Sequence, residues 1–210
     1  IALGVQLLQA CRRSDDSMTT FINAGSYWQF ASDGTPDPNS VYAAMKQAFQ
    51  AILGYYARRR GIAAATVILF DVYGDGDWRN KLIPQLIHAA QRSEPMATTP
   101  GEQQLDLVYA GDVVDALLAA ERRMLDAVRF DHPLWSADSG RRVTLRQLVA
   151  LIEQTVGRRI PVQWGARPYP PGQIMAPVST LPRVPQWTAR TPLEDGLRRV
   201  WQALCERNSR

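Results

Sequence analysis

Tyr42 and Lys46 stand four residues apart in the run VYAAMKQAFQAILGYYARRR (41–60). The run has the composition of a helix, and the spacing puts phenol and ammonium on one helical face. An ordinary tyrosine, with a pKa of about 10, is a poor proton donor or acceptor near neutrality. A lysine ammonium within a few ångströms favours the phenolate and draws the phenol toward its working range. Upstream, Ser26 ends the apolar run TTFINAG, and its hydroxyl can hydrogen-bond a substrate carbonyl while Tyr42 delivers or removes the proton. The three residues make an acid–base site suited to redox chemistry at a carbonyl. Tyr-x-x-x-Lys alone is also ordinary helix surface.

These side chains need a strand, a loop and a helix to hold them. MTTFINAG (18–25), β-branched and aromatic, reads as a buried parallel strand. Residues 27–40 carry prolines, a glycine and aspartates and read as an exposed loop, with Ser40 as N-cap of the Tyr42 helix. That helix closes on three arginines and Gly61, cations at its negative end and glycine as the stop. Before the strand, residues 1–13 have helical spacing and SDDS (14–17) breaks it.

After the helix, strands are predicted at 63–70, 105–110 and 134–138, with a small one at 160–164. Helices are predicted at 81–93, 112–124 (capped by Asp112), 143–157 (with Thr144 at its start) and in the closing stretch 193–207. DVYGDGD (71–77) reads as a turn at a strand's C-terminal edge, where ligands of open α/β sheets collect. Residues 167–192 contain seven prolines, which excludes regular helix and suggests a loop wrapping over a site. Strands alternating with helices define an α/β class with a parallel sheet.

Composition narrows the partners. The 210 residues are 46% hydrophobic and 21% charged, an ordinary globular balance. A net charge of +4 suits an anionic ligand. The arginines are dispersed among acids instead of forming a stripe, which argues against nucleic acid. Lys46 and Lys81 are the only lysines among 24 basic residues, a weak sign that both positions need a compact ammonium. Cys11 and Cys205 lack metal or redox spacing and read as reduced structural thiols; His88 and His132 read as surface or packing residues. No apolar run approaches the roughly 20 residues of a membrane span and no signal-peptide pattern opens the chain. The expectation is a cytoplasmic protein with no membrane partner and no metal.

FINAG, Ser26, the Pro-containing loop and the helix opening Y-A-A-M-K resemble the catalytic segment of the extended short-chain dehydrogenase/reductase family. The resemblance continues through FDVYGDGDWRNKLIP (70–84), GEQQLDLVYAGDVVDAL (101–117), GARPYPPG (165–172) and PLEDGLRRV (192–200). It implies the C-terminal part of a Rossmann-like parallel-sheet domain, mainly 1–140, with a small substrate lobe, mainly 141–210, interleaved with it. The Gly-rich dinucleotide fingerprint is absent, so the chain is expected to be a C-terminal portion of a longer protein, inactive alone.

The resemblance implies Tyr42 as general acid/base, Lys46 as its activator and a ribose contact, and Ser26 as the carbonyl orienter. It implies NAD or NADP as cofactor, bordered by Tyr42, Lys46 and Tyr73. Arg79, Asn80, Lys81 and Arg167 match positions that approach the diphosphate of a nucleoside-diphosphate sugar. Where the dehydratase branch has an acidic pair, this chain has Tyr27 and Trp28, and Leu105 stands where many epimerases carry an arginine. Asp71 replaces a frequent asparagine and, being a carboxylate, is not assigned to phosphate. These departures favour the branch that reduces 4-keto-deoxy sugars, of the CDP-abequose and CDP-paratose synthase type, over a 4-epimerase or a non-catalytic module. The family's two-fold contact implies a homodimer through the helices near 1–13 and 41–60, with Leu3, Leu7, Phe49, Ile52 and Tyr56 as its apolar face.

Overall fold

A computed structural model describes residues 1–11, 20–77, 79–126 and 131–208. The predicted break at 14–17, the helix end at Arg12 and Arg13, and Trp78 lie outside the described residues. The chain divides into two compact units: 1–70, 113–138 and 178–188 form the first, and 71–112, 139–177 and 189–210 the second.

In the first unit, β1 (Thr20–Ser26), β2 (Ala63–Leu69) and β6 (Leu134–Ala137) form a parallel sheet with β2 in the middle. A central strand needs apolar side chains on both faces, and AAATVIL provides them. Ala63, Ala65 and Val67 pack with Ala116, Ala120 and Met124 of α4 (Ala110–Leu125). Ala64 faces the other way, toward Leu8 of α1 (Ala2–Cys11) and Leu53 and Ala57 of α2 (Val41–Arg60). The ends of α2 follow the local code. Ser40 Oγ accepts from Ala43 N–H at 3.2 Å, and Gly61 closes the helix at φ 71°, a left-handed conformation that a side chain would strain.

Part of the Pro-rich segment returns along β6. Ser136 N–H donates to Pro182 O at 2.9 Å and Val184 N–H to Ser136 O at 3.1 Å, and Val184 is buried. Arg183 Nη2 lies 2.7 Å from Asp138 Oδ2. Burial alone would raise the Asp138 pKa, but hydrogen bonds from Arg183 and Ser136 outweigh it and hold the carboxyl below its usual range.

Thr66, on β2 with no exposure, joins Asn23 Nδ2 (3.1 Å) to His132 Nε2 (2.8 Å). Burial, then the nearby charge of Arg58, push the imidazole from 6.5 down to about 4. Between those values the unfolded chain binds the proton that the native chain does not, so stability falls as pH drops through that window. His132→Gln keeps an acceptor for Thr66 but cannot titrate. Urea midpoints measured from pH 7 to 4 are expected to fall less steeply for His132→Gln than for the parent; equal slopes would remove His132 as the cause.

In the second unit, β3 (Asp71–Tyr73) and β5 (Gln104–Tyr109) are parallel, β7 (Arg142–Thr144) pairs antiparallel with β5, and β4 (Met96–Ala97) pairs with β8 (Val162–Gln163). The helices α3 (Leu82–Arg92), α5 (Leu145–Val156) and α6 (Leu193–Asn208) supply Leu86, Leu148 and Leu197 to one core. Three readings are corrected here. The stretch predicted as the turn 71–77 begins with strand β3. The helix predicted from residue 143 begins at Leu145, with Thr144 as N-cap of a capping box and β7 before it. Asp112 is not the cap of α4, which starts at Ala110; its carboxylate instead accepts from Thr191 N–H at 2.9 Å. Among the described residues no helix is long and apolar enough to cross a membrane.

Candidate active site

Ser26 is the last residue of β1 and the N-cap of a short 3-10 helix, Tyr27–Gln29. Its Oγ accepts from Trp28 N–H at 3.3 Å. That bond uses the oxygen as acceptor and leaves the hydroxyl hydrogen available to donate, and a hydroxyl that accepts one bond donates the next more strongly. Where a loop was expected from Tyr27 on, this helical turn holds the chain close to α2.

Tyr42 and Lys46 lie in the first turns of α2. Tyr42 is 53% exposed, and its ring and that of Trp28 stand nearly perpendicular with centroids 6.3 Å apart. Lys46 Nζ sits 5.7 Å from the Tyr42 ring centroid and donates to Ala24 O at 2.7 Å. That bond ties the lysine to the end of β1, two residues before Ser26. Burial lowers the ammonium pKa below its ordinary value. Ser26, Tyr42 and Lys46 therefore belong to one unit, linked through Ala24 and Trp28. Tyr27 stacks on Phe70 at 5.0 Å, whereas Trp28 is 40% exposed. Neither side chain is a carboxylic acid.

A buried glutamine network went unpredicted. Gln29, with no exposure, accepts from Ser26 N–H at 2.7 Å through Oε1. Its amide nitrogen donates to Gln47 Oε1 and Gln50 Oε1 on α2, both at 2.9 Å. The signal was present in Ser-Tyr-Trp-Gln, which has the capping-box spacing. Gly25 makes room: a Cβ there would lie 2.4 Å from Ile68 Cδ1 and 3.0 Å from Gln29 Oε1.

Apart from Tyr42 and Lys46, the predicted binding residues lie in the second unit. Tyr73 is buried and its hydroxyl is 3.5 Å from Leu193 O; burial pushes its phenol above the ordinary value. The following turn is held by Tyr109, whose hydroxyl donates to Asp75. Exposed Arg79 closes its fork on Asp77, with Nε to Oδ1 at 2.7 Å and Nη2 to Oδ2 at 3.0 Å. Asn80 O accepts from Gln85 Nε2 at 2.8 Å, and Lys81 is the exposed N-cap residue of α3. Arg167 is exposed, its backbone N–H bonded to Thr98 O at 3.0 Å. Among the described residues no hydrogen bond or ion pair joins Arg167 to the 79–81 run.

Residues 1–129 match the NAD dependent epimerase/dehydratase family. The chain belongs to that family. A CDP-abequose synthase from Yersinia pseudotuberculosis is 30% identical over 158 residues, covering 75% of this chain and 54% of that protein. A CDP-abequose synthase from Salmonella typhimurium is 27% identical over 137 residues, 65% of this chain and 45% of that protein. The chain thus spans about half the length of the curated relatives it matches.

Among solved structures, MoeE5 in complex with UDP-glucose and NAD superposes with a TM-score of 0.83 at 24% identity, covering 99% of this chain and 71% of that one. UDP-glucuronic acid 4-epimerase from Bacillus cereus, in complex with UDP-glucuronic acid and NAD, superposes with a TM-score of 0.82 at 18% identity, covering 98% of this chain and 67% of that one. These likenesses establish the Rossmann-type α/β fold.

Proposed function

We propose that this chain carries the catalytic residues of an NAD(P)-dependent ketoreductase acting on a 4-keto-deoxyhexose attached to a nucleoside diphosphate. The observation that carries the reading is the linkage of Ser26, Tyr42 and Lys46 at the end of β1 and the start of α2. Kinship with CDP-abequose synthases supports a nucleotide-sugar enzyme of this family, and the aromatic pair Tyr27–Trp28, standing where dehydratases have acids, argues against elimination.

The donor set fits a nicotinamide coenzyme. Lys46 spends one N–H on Ala24 O, and its other two suit a ribose diol beside exposed Tyr42. When bound, such a coenzyme supplies the hydride. Ser26 donates a hydrogen bond to the ketone oxygen and Tyr42 gives that oxygen its proton, while Lys46 stabilises the phenolate left behind. Lys81, Arg79 and Arg167 are the candidate diphosphate contacts. The Arg79 side chain is 54% exposed but its two-point partner Asp77 only 10%, so a phosphate at this position competes with Asp77 for the guanidinium fork.

The test uses the full-length protein with CDP- and dTDP-linked 4-keto sugars and reduced coenzyme. Stoichiometric coenzyme consumption supports the reductase. Interconversion of sugar epimers with no net coenzyme change would identify a 4-epimerase, and no turnover with any substrate would leave a binding module.

The assembly is proposed as a homodimer through α1 and α2. Its face differs from expectation: Phe49, Ile52 and Tyr56 are partly buried within the unit. Besides Tyr42, the exposed large apolar side chains described on these helices are Leu3 (69%), Leu7 (48%), Val41 (79%), Met45 (50%) and Tyr55 (48%). Light scattering at tens of micromolar is expected to give a dimer mass, and Met45→Arg a monomer. A monomeric parent contradicts the proposal.

A further inference from the structure

We propose that Gln29, with Gln47 and Gln50, is a positioning clamp that sets the distance and orientation of Ser26 relative to Tyr42 and Lys46. The inference rests on the site reading above. Backbone N–H of Ser26 is a donor only, so the Gln29 atom 2.7 Å away must be the amide oxygen. The amide nitrogen then faces α2, and its two hydrogens meet the two oxygens of Gln47 and Gln50 at 2.9 Å each. The functional groups of Gln29 are thereby spent on joining the Ser26 turn to the helix that carries Tyr42 and Lys46.

Apolar packing is non-directional, and a leucine at a fully buried position 29 would hold the two elements together while letting the turn rotate. Hydrogen bonds of this length demand alignment, and a fully satisfied buried network admits one arrangement. Gln47 follows Lys46 directly, and Gln50 lies one turn beyond it. Lys46 Nζ makes the parallel tie to Ala24 O. Side chains of one helix segment thus grip the strand end on both sides of Gly25, whose missing Cβ lets Gln29 Oε1 lie against the strand.

The experiment is a double-mutant cycle in the full-length protein between Gln29→Met, which keeps side-chain length but no hydrogen bond, and Ser26→Ala. With folding verified by thermal melts, Gln29→Met is expected to lower kcat by about 10²-fold, the cost of a misplacement of about 1 Å, with KM changed only a few-fold. In the Ser26→Ala background the same substitution should add only a few-fold, because no hydroxyl remains to be placed. Parental kcat in Gln29→Met beside a damaged Ser26→Ala overturns the clamp alone, as does an equal penalty in both backgrounds. An undamaged Ser26→Ala overturns the site reading and the clamp with it. Should Gln29→Met fail to fold, Gln50→Met removes one acceptor and leaves the Ser26 bond; it is expected to lower kcat about tenfold, one hydrogen bond's worth, and parental kcat there overturns the clamp.

Discussion

Tyr42→Phe in the full-length protein is expected to lower turnover by on the order of 10²–10⁴-fold, the usual contribution of one acid/base group. The structure explains why the loss should fall on chemistry alone. Tyr42 is 53% exposed and meets Trp28 through its ring, which phenylalanine retains. Melting temperature and substrate affinity should therefore stay near the parental values. The measurement is kcat and KM alongside a thermal melt. Unchanged kcat would return Tyr42 to ordinary helix surface and remove the main support for catalysis.

Lys46→Met is the second large effect. The ammonium makes the 2.7 Å bond to Ala24 O and stands 5.7 Å from the Tyr42 ring, so its loss removes both the charge that favours the phenolate and a tie between α2 and β1. Turnover is expected to fall by on the order of 10²-fold or more, with a stability cost of about 1 kcal/mol for the lost hydrogen bond. Lys46→Arg keeps charge but brings a planar fork that cannot reproduce a compact ammonium, so it should also be impaired. An Arg variant with parental kcat would show that charge alone suffices at this position.

The local signals in the chain were strong where one element satisfies its own demands. Ser40 and Gly61 bound α2 because a hydroxyl cap and a left-handed glycine meet needs internal to the helix. Thr144 starts α5 for the same reason. The β-branched and small residues of 63–69 declared a strand buried on both faces, and Tyr-x-x-x-Lys declared one helical face. Sequence by itself therefore determined the α/β class, the long helices and buried strands, and the candidate trio Ser26, Tyr42 and Lys46, while the short strands β3, β4 and β7 and the 3-10 turn after Ser26 went unforeseen.

Tertiary structure decided matters that depend on partners distant in sequence. Asp112 looked like a helix cap, but its oxygen is claimed by Thr191, far along the chain. Phe49, Ile52 and Tyr56 cannot be assigned to a face until α1 is placed, because the choice between outer surface and inner packing depends on Leu8 filling the space beside them. Gln29 shows the limit most clearly. Its spacing from Ser26 is a local pattern, but only the packing of the turn on α2 brings Gln47 and Gln50 within 2.9 Å and turns a capping residue into a link between two parts of the site. A side chain's type and spacing are properties of the chain; which donor meets which acceptor is settled by the packing that excludes water from both.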